Sequence, residues 1–411
     1  MATVSLMRWR FIDPHNLQEV SERNAMLTKI DDWWQEFQAE QRAIAGSFTR
    51  FIEFDLVGWM NRHLESIHPD LMWEYGPAIH QKGDRLVITP ESAHHLRPMV
   101  RTILERAPVI DGWEFYEHRL PEAVASAIST VRARTQRDVG DFKVRVTRGD
   151  DHLIDLTYTA PSIVDADARS ASSAAFVATE TLLGEACLDN WTGLVEATPT
   201  PPTRGFGRFF VRTANKQRHF VELGRLRETV HALIGSIRDQ LPRKPLYESI
   251  EGAKGTVWKL TPNEADDYAE QQDMFVGRSV SPAMWMAARS SRTFCSERFS
   301  RCDETFCYVK LDGSEGLDED HFADKSEIED ALDEVLRPAV LGCTIGGGTG
   351  RRYSYIDLAL TDVDKGIAAI KRRLQAGNVP KRSWIQFFDS DLAAEWVGIY
   401  DDTPQPPLAV S

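Results

Sequence analysis

Three sets of side chains in this sequence have types and spacing that could do chemistry. The first is Gly346-Gly347-Gly348-Thr349-Gly350, followed by Arg351 and Arg352. Glycine-rich backbone can turn its N–H groups toward an anion, and guanidinium groups beside it add charge. Gly347, Gly348, Arg351 and Arg352 are therefore a candidate anion nest. A phosphate-cradling P-loop needs Gly-Lys-Ser/Thr opening a helix, whereas no lysine follows here and a strand pattern comes next. A glycine-rich hairpin turn is the favoured reading.

The second set is Asp357 and Asp389, which with Arg351 or Arg352 could form an acidic site with a guanidinium partner in a cleft between two halves of the chain. The third is aromatic. Phe306, Tyr308, Tyr353, Tyr355 and Asp357 alternate onto one face of two strands, and Trp384, Gln386 and Phe388 join them if the last strand has the matching phase. Phe306, Tyr308, Tyr353, Tyr355, Asp357 and Trp384 are read as a ligand or partner face, since aromatics presented this way can meet planar ligands and large exposed apolar patches rarely lack a role. The competing reading is that another layer, such as an N-terminal domain, covers the face. The acidic net charge favours the covered sheet.

Other candidates are weaker. Cys295, Cys302 and Cys307 lack the short knuckle spacing of zinc sites, and His321 supplies no second pair, so no metal site is expected. His94 and His95 are adjacent and would point about 100° apart on a helix, so they cannot chelate one ion together. No Ser–His–Asp or Cys–His arrangement is evident, although a triad is spatial. No catalytic residue is assigned and no cofactor is expected. Between Asp312 and Glu334 stand eleven acidic residues against one lysine, read as a solvated surface in preference to a docking surface for a basic partner.

The elements that must position these residues follow from periodicity. Phe306–Leu311 alternates as a half-buried strand, and a helix opens at Ser326 with the stripe Ile328, Ala331, Leu332, Val335 and Leu336. Strands at 342–345 and 353–360 flank the glycine turn. Asp362 caps a helix with the stripe Val363, Ile367, Ile370 and Leu374, ended by Gly377 at the C′ position, and 383–389 returns as a strand. This βαββαβ order is the ferredoxin-like plan. A poorer copy runs from a strand at 113–118 to one at 193–197, with an Ala- and Ser-rich second helix. Ahead of it, Met26, Ile30, Trp33, Trp34 and Phe37 share a helical face, and Thr89-Pro90-Glu91 reads as a helix start.

The expected architecture is α+β: two ferredoxin-like halves with an N-terminal helical segment. Its domains are 1–50, 51–200 and 207–403, divided at the proline-rich linker Thr198–Thr203, with a short strand at 209–212 beyond it. At 411 residues the chain is too long for one core. A formal net charge of −14 speaks against nucleic acid and anionic membranes as partners. No apolar run suits a membrane span, no secretory leader is evident, and five cysteines make no disulfide framework, so the cytoplasm is the expected location.

Residues 51–120, with Trp73-Glu74-Tyr75-Gly76-Pro77, Leu86-Val87-Ile88-Thr89 and Gly112-Trp113-Glu114-Phe115-Tyr116, resemble a bacterial domain of unknown function. The glycine run with Tyr355-Ile356-Asp357 is similar to part of bacterial proteins without assigned activity. The resemblance implies no active-site residues. The expected function is a non-catalytic protein-binding or regulatory module whose partner is another protein. The alternative is an enzyme with the acidic/Arg site named above.

Overall fold

A computed structural model describes residues 8–48, 53–164, 167–200, 220–250, 252–314 and 316–407. The expected strand at 209–212 and the linker beyond residue 200 lie outside them. The chain is α+β and divides into two compact units, Met1–Glu117 with Pro242–Ser411, and His118–Leu241. The second unit is thus inserted in the first. This division differs from the boundaries expected at 50/51 and 200–207. Residue 50 is no boundary because the helices on either side of it share one core, and the boundary falls after Glu117 because the strand Trp113–Tyr116 pairs in parallel with Asp84–Thr89 and closes one sheet without opening the next.

Within the first unit, α1 (Leu17–Phe48) and α2 (Leu56–Ile67) precede β1 (Met72–Pro77), β2 (Asp84–Thr89), α3 (Arg97–Glu105) and β3 (Trp113–Tyr116). Ile30, Trp33, Trp34 and Phe37 are buried against Met60, Leu64 and Ile103. The paired tryptophans are core, and Trp34 Nε1 donates to the Ile103 carbonyl at 2.7 Å. Asp55 caps α2 by accepting from the Gly58 N–H at 3.0 Å. The helix expected from Thr89-Pro90 begins only at Arg97, because Glu91 takes φ +48, which no helix can propagate through.

The second unit contains α4 (Val124–Thr135), β4 (Lys143–Arg148), β5 (Ile154–Ala160), α5 (Ala168–Leu183), α6 (Glu185–Trp191), β6 (Thr192–Pro199), β7 (Val221–Glu222) and α7 (Leu223–Gln240). Its strands lie in the order β6-β5-β4-β7, with β5 and β6 parallel neighbours joined through α5 and α6. The ferredoxin-like half expected here is not formed, since its intended first strand belongs to the three-stranded sheet. The ambiguous stripe of α5 has a physical reason: Ala171, Ala174, Ala175 and Ala178 are all buried, so small side chains set the close packing.

The rest of the first unit adds α8 (Leu246–Ser249), β8 (Thr256–Lys259), β9 (Met274–Ser279), α9 (Pro282–Ala287), β10 (Thr305–Asp312), α10 (Lys325–Leu336), β11 (Gly342–Gly350), β12 (Tyr353–Leu360), α11 (Val363–Ala376), β13 (Ser383–Phe387) and β14 (Trp396–Gly398). A seven-stranded sheet runs β14-β13-β10-β12-β11-β9-β8. Cys307, Val309 and Leu311 of β10, with Ile356, Leu358 and Leu360 of β12, meet Ile328, Leu332, Ile370 and Leu374 of the two long helices. That is the helix-facing side the alternation implies. Helix α10 is capped by Asp324, which accepts from the N–H groups of Ser326 (2.7 Å) and Glu327 (3.2 Å), two residues before the expected start. Gly377 has φ −90 and needs no left-handed backbone; a Cβ there would stand 1.9 Å from the Phe322 ring. Close approach is what requires glycine.

The N-terminal segment is stitched to this sheet within the same unit. The N–H groups of Trp9 and Arg10 donate to Glu395 Oε1 at 2.8 and 2.9 Å, and that of Phe11 donates to Oε2 at 2.9 Å. Phe11 stacks on Phe387 at 4.9 Å between ring centroids.

Candidate functional site: a cleft on the aromatic sheet face

The side of the seven-stranded sheet opposite α10 and α11 carries the aromatic set, and it is covered by side chains from the sheet's own edge strands β8 and β9, from α9 and from the loops between 260 and 299. Trp258, Tyr268, Met274 and Trp285 pack on Tyr308, Tyr353, Tyr355 and Trp384, while Met284, Phe294 and Phe299 pack on Phe306. Phe306, Tyr355, Asp357 and Trp384 have no exposed surface, and Tyr353 and Tyr308 retain 1% and 3%. The six residues read as a partner face are therefore core residues. Their cover comes from the first unit's own residues, the short elements β8, β9 and α9 and the loops around them, with no long period to announce it.

The candidate anion nest is also placed differently. The glycine run lies inside β11, and only Arg351 and Arg352 form the turn to β12. A Cβ on Gly347 would meet the Tyr355 carbonyl oxygen at 2.0 Å, and one on Gly348 would meet Met274 Sδ at 2.5 Å. The glycines thus let neighbouring backbone and the covering layer approach. The N–H groups of Arg352 and Tyr353 do converge on an anion, namely the chain's own Asp273. Its Oδ2 accepts from them at 2.8 and 2.9 Å, and the Tyr355 hydroxyl donates to its Oδ1. Arg351 pairs with Glu264 at 2.8 Å, and Arg352 pairs with Asp312 at 2.8 Å.

Around this point runs a partly buried polar network. Arg382 donates to Asp312 (2.9 Å), Asp267 (2.8 Å) and the Tyr353 hydroxyl (2.9 Å). Desolvation pushes the Asp312 pKa up, but hydrogen bonds from Arg352, Ser314 and Arg382 outweigh it and hold the group at about 2. Lys310 is fully buried, donates to the Tyr268 carbonyl and sits 4.1 Å from the Tyr353 ring centroid; desolvation lowers its pKa to about 8. The arrangement fastens the covering layer to the sheet.

One region of this face remains accessible. A cleft of about 520 Å³ is walled by Tyr308, Gln386 and Phe388 from the sheet and by Gln271, Arg289 and Arg292 from the cover. Trp258 and Trp285 stack at 4.0 Å, and the Arg289 guanidinium lies 3.7 Å over Trp285. Arg289 donates to the Trp285 carbonyl at 3.1 Å and to Gln271 Oε1; Gln271 in turn donates to Asp357 Oδ1 at 2.9 Å. Desolvation lowers the Arg289 pKa and raises that of Asp357, whose Oδ2 has no partner among the described residues. Gln386 Oε1 is likewise buried and without a partner. Glu270, beside Gln271 on the cleft wall, has φ +44.

The four residues of the enzymatic alternative do not converge. Asp357 is held by Gln271, whereas Asp389 accepts from the Ser296 N–H at 2.7 Å and from its hydroxyl. Desolvation raises Asp389 to about 6, yet neither carboxylate lines the cleft, and Arg351 and Arg352 are bound elsewhere. A second cavity of about 680 Å³ runs along Arg10, Asp364, Lys371 and Asp401, where Arg10 pairs with Asp364 and Lys371 with Asp401. Among the described residues, no group of three or more His, Cys, Asp or Glu could hold a metal ion, and no helix is long and apolar enough to cross a membrane.

No protein-family model matches the chain, and no curated protein or solved structure is similar to it. Gln271, Arg289 and Arg292 are the residues sequence reasoning missed. The spacing Trp285-x-x-x-Arg289, one helical turn, was the available signal for the cation–π pair.

Proposed function

We propose that this chain is a cytoplasmic, non-catalytic binding module that engages another protein through the cleft beside Tyr308, Gln386 and Phe388. In this reading β10–β13 with α10 and α11 form a ferredoxin-like unit, widened by β8, β9 and β14. The observation that carries the proposal is the composition of the cleft wall. It holds a desolvated guanidinium and an unsatisfied amide oxygen, while the carboxylates with raised pKa, Glu304, Asp357 and Asp389, stand outside it. A binding site needs the first two; general acid catalysis near neutral pH would need a carboxylate with raised pKa in reach, whereas of the carboxylates on the wall Glu395 is bound by the Trp9, Arg10 and Phe11 N–H groups and Glu270 is exposed. The net charge of −14 disfavours a nucleic-acid partner.

Photo-crosslinking tests this. Ala393 is exposed on the cleft wall, and Glu334 is exposed on α10. With p-benzoyl-phenylalanine at 393, the native host should yield a discrete protein adduct that position 334 does not give. No adduct at 393, or the same adducts at both positions, would refute the proposal.

A further inference from the structure

We infer that the cleft recognises a chain end: the C-terminal carboxylate of a partner whose last residue is aromatic or large and apolar. This rests on the binding-module reading and adds what the cleft selects.

The argument begins with Arg289. Its contacts are the Trp285 carbonyl at 3.1 Å, Gln271 Oε1, Met274 Sδ at 3.4 Å and the Trp285 ring at 3.7 Å. All four are neutral. They fix the plane of the guanidinium; Asp357, the charge that acts on it most strongly, stands behind Gln271, and no carboxylate lies within ion-pairing distance among the described residues. A planar, pre-oriented guanidinium matches a carboxylate in two parallel hydrogen bonds. Exposed Glu270 on the same wall disfavours a dianion such as a phosphate group, so one negative charge fits best.

Gln386 adds a second requirement. Its buried Oε1 is an acceptor that needs an N–H donor, and an unmet acceptor is costly to keep dry. The last residue of a polypeptide carries a carboxylate and an amide N–H on the same Cα. Phe388, Tyr308, Leu260 and Met274 supply the aromatic and apolar wall for its side chain. A volume of about 520 Å³ is that of a small-molecule site, so only the last few residues would enter.

The test is calorimetric titration of the full chain with acetyl-Ala-Ala-Phe bearing a free carboxylate, with its C-terminal amide, and with 3-phenylpropionate. The acid should bind at least tenfold more tightly than the amide and than 3-phenylpropionate, which lacks the N–H. Arg289→Gln should abolish the preference for acid over amide. Gln386→Leu should weaken the peptide acid and leave 3-phenylpropionate unchanged. Equal binding of acid and amide, or no binding of either, overturns the inference. Equal binding of 3-phenylpropionate and the peptide acid also overturns it, because the ligand is then a free small carboxylate. An adduct from position 393 together with equal acid and amide affinities would leave the binding module standing and remove only the chain-end specificity.

Discussion

Asp389 and Asp273 show how one residue type is put to opposite uses. Asp273 is fully buried yet receives two backbone N–H groups and the Tyr355 hydroxyl, so its charge is matched by donors. Asp389 receives one N–H and one hydroxyl from Ser296 alone, and desolvation raises its pKa from 3.8 to about 6. Between those two values the unfolded chain loses this proton before the folded one does, so stability falls as pH rises through that window. Asp389→Asn, neutral throughout, lacks that slope. Its stability relative to the parent should therefore rise by roughly 1–3 kcal/mol between pH 4 and pH 7. Urea denaturation at a series of pH values measures this, and a constant difference would show that Asp389 is ionised as readily folded as unfolded. Neither aspartate's role was legible from the chain alone, because the partners are 79 and 93 residues away in sequence.

At the scale of elements, β11 separates what alternation can reveal from what it cannot. Its neighbour β12, and β10 beyond it, have side chains to alternate, and their helix-facing and aromatic sides were legible to the residue. In β11 the run Gly346–Gly348 has no side chains to read, so turn chemistry and close packing look alike. The structure separates them by cost. Gly347→Ala would put a Cβ 2.0 Å from the Tyr355 carbonyl oxygen at φ +146, whereas Gly235 is exposed within α7 with nothing within 4 Å of an added Cβ. Gly347→Ala should lower the unfolding free energy by about 3 kcal/mol or more. Gly235→Ala should raise it by about 0.5–1 kcal/mol. Thermal denaturation of both variants, each compared with the parent protein, checks the pair; a harmless Gly347→Ala would mean that β11 and β12 can separate at no cost. The covering stretch was illegible for a different reason. Trp258 sits on the short strand β8, Trp285 on the short helix α9, and Tyr268 and Phe294 on loops, and no period connects the four.

For the molecule as a whole, composition misled where topology decided. Prolines at 199, 201 and 202 were expected to separate domains, but Pro199 ends β6 inside the second unit. That unit encloses its own core, with Phe142, Val144, Leu156, Tyr158, Leu226 and Val230 all buried. Arg119 and Glu180, an ion pair at 2.8 Å, both belong to it. Residues 118–241 expressed alone should therefore fold and melt in one cooperative transition, with dispersed amide resonances in solution. A broad, non-cooperative melt would contradict an autonomous core.

The anchoring of Trp9, Arg10 and Phe11 on Glu395 has a temporal consequence. Trp9 leaves the ribosome long before its acceptor, which is translated 386 residues later. At about 5–20 residues per second, the early segment waits roughly 20–80 s for that carboxylate. During the wait the inserted unit is synthesised in full and free to mature. Nascent chains released before residue 395 should accordingly leave residues 8–11 open to a protease that spares them in the finished protein.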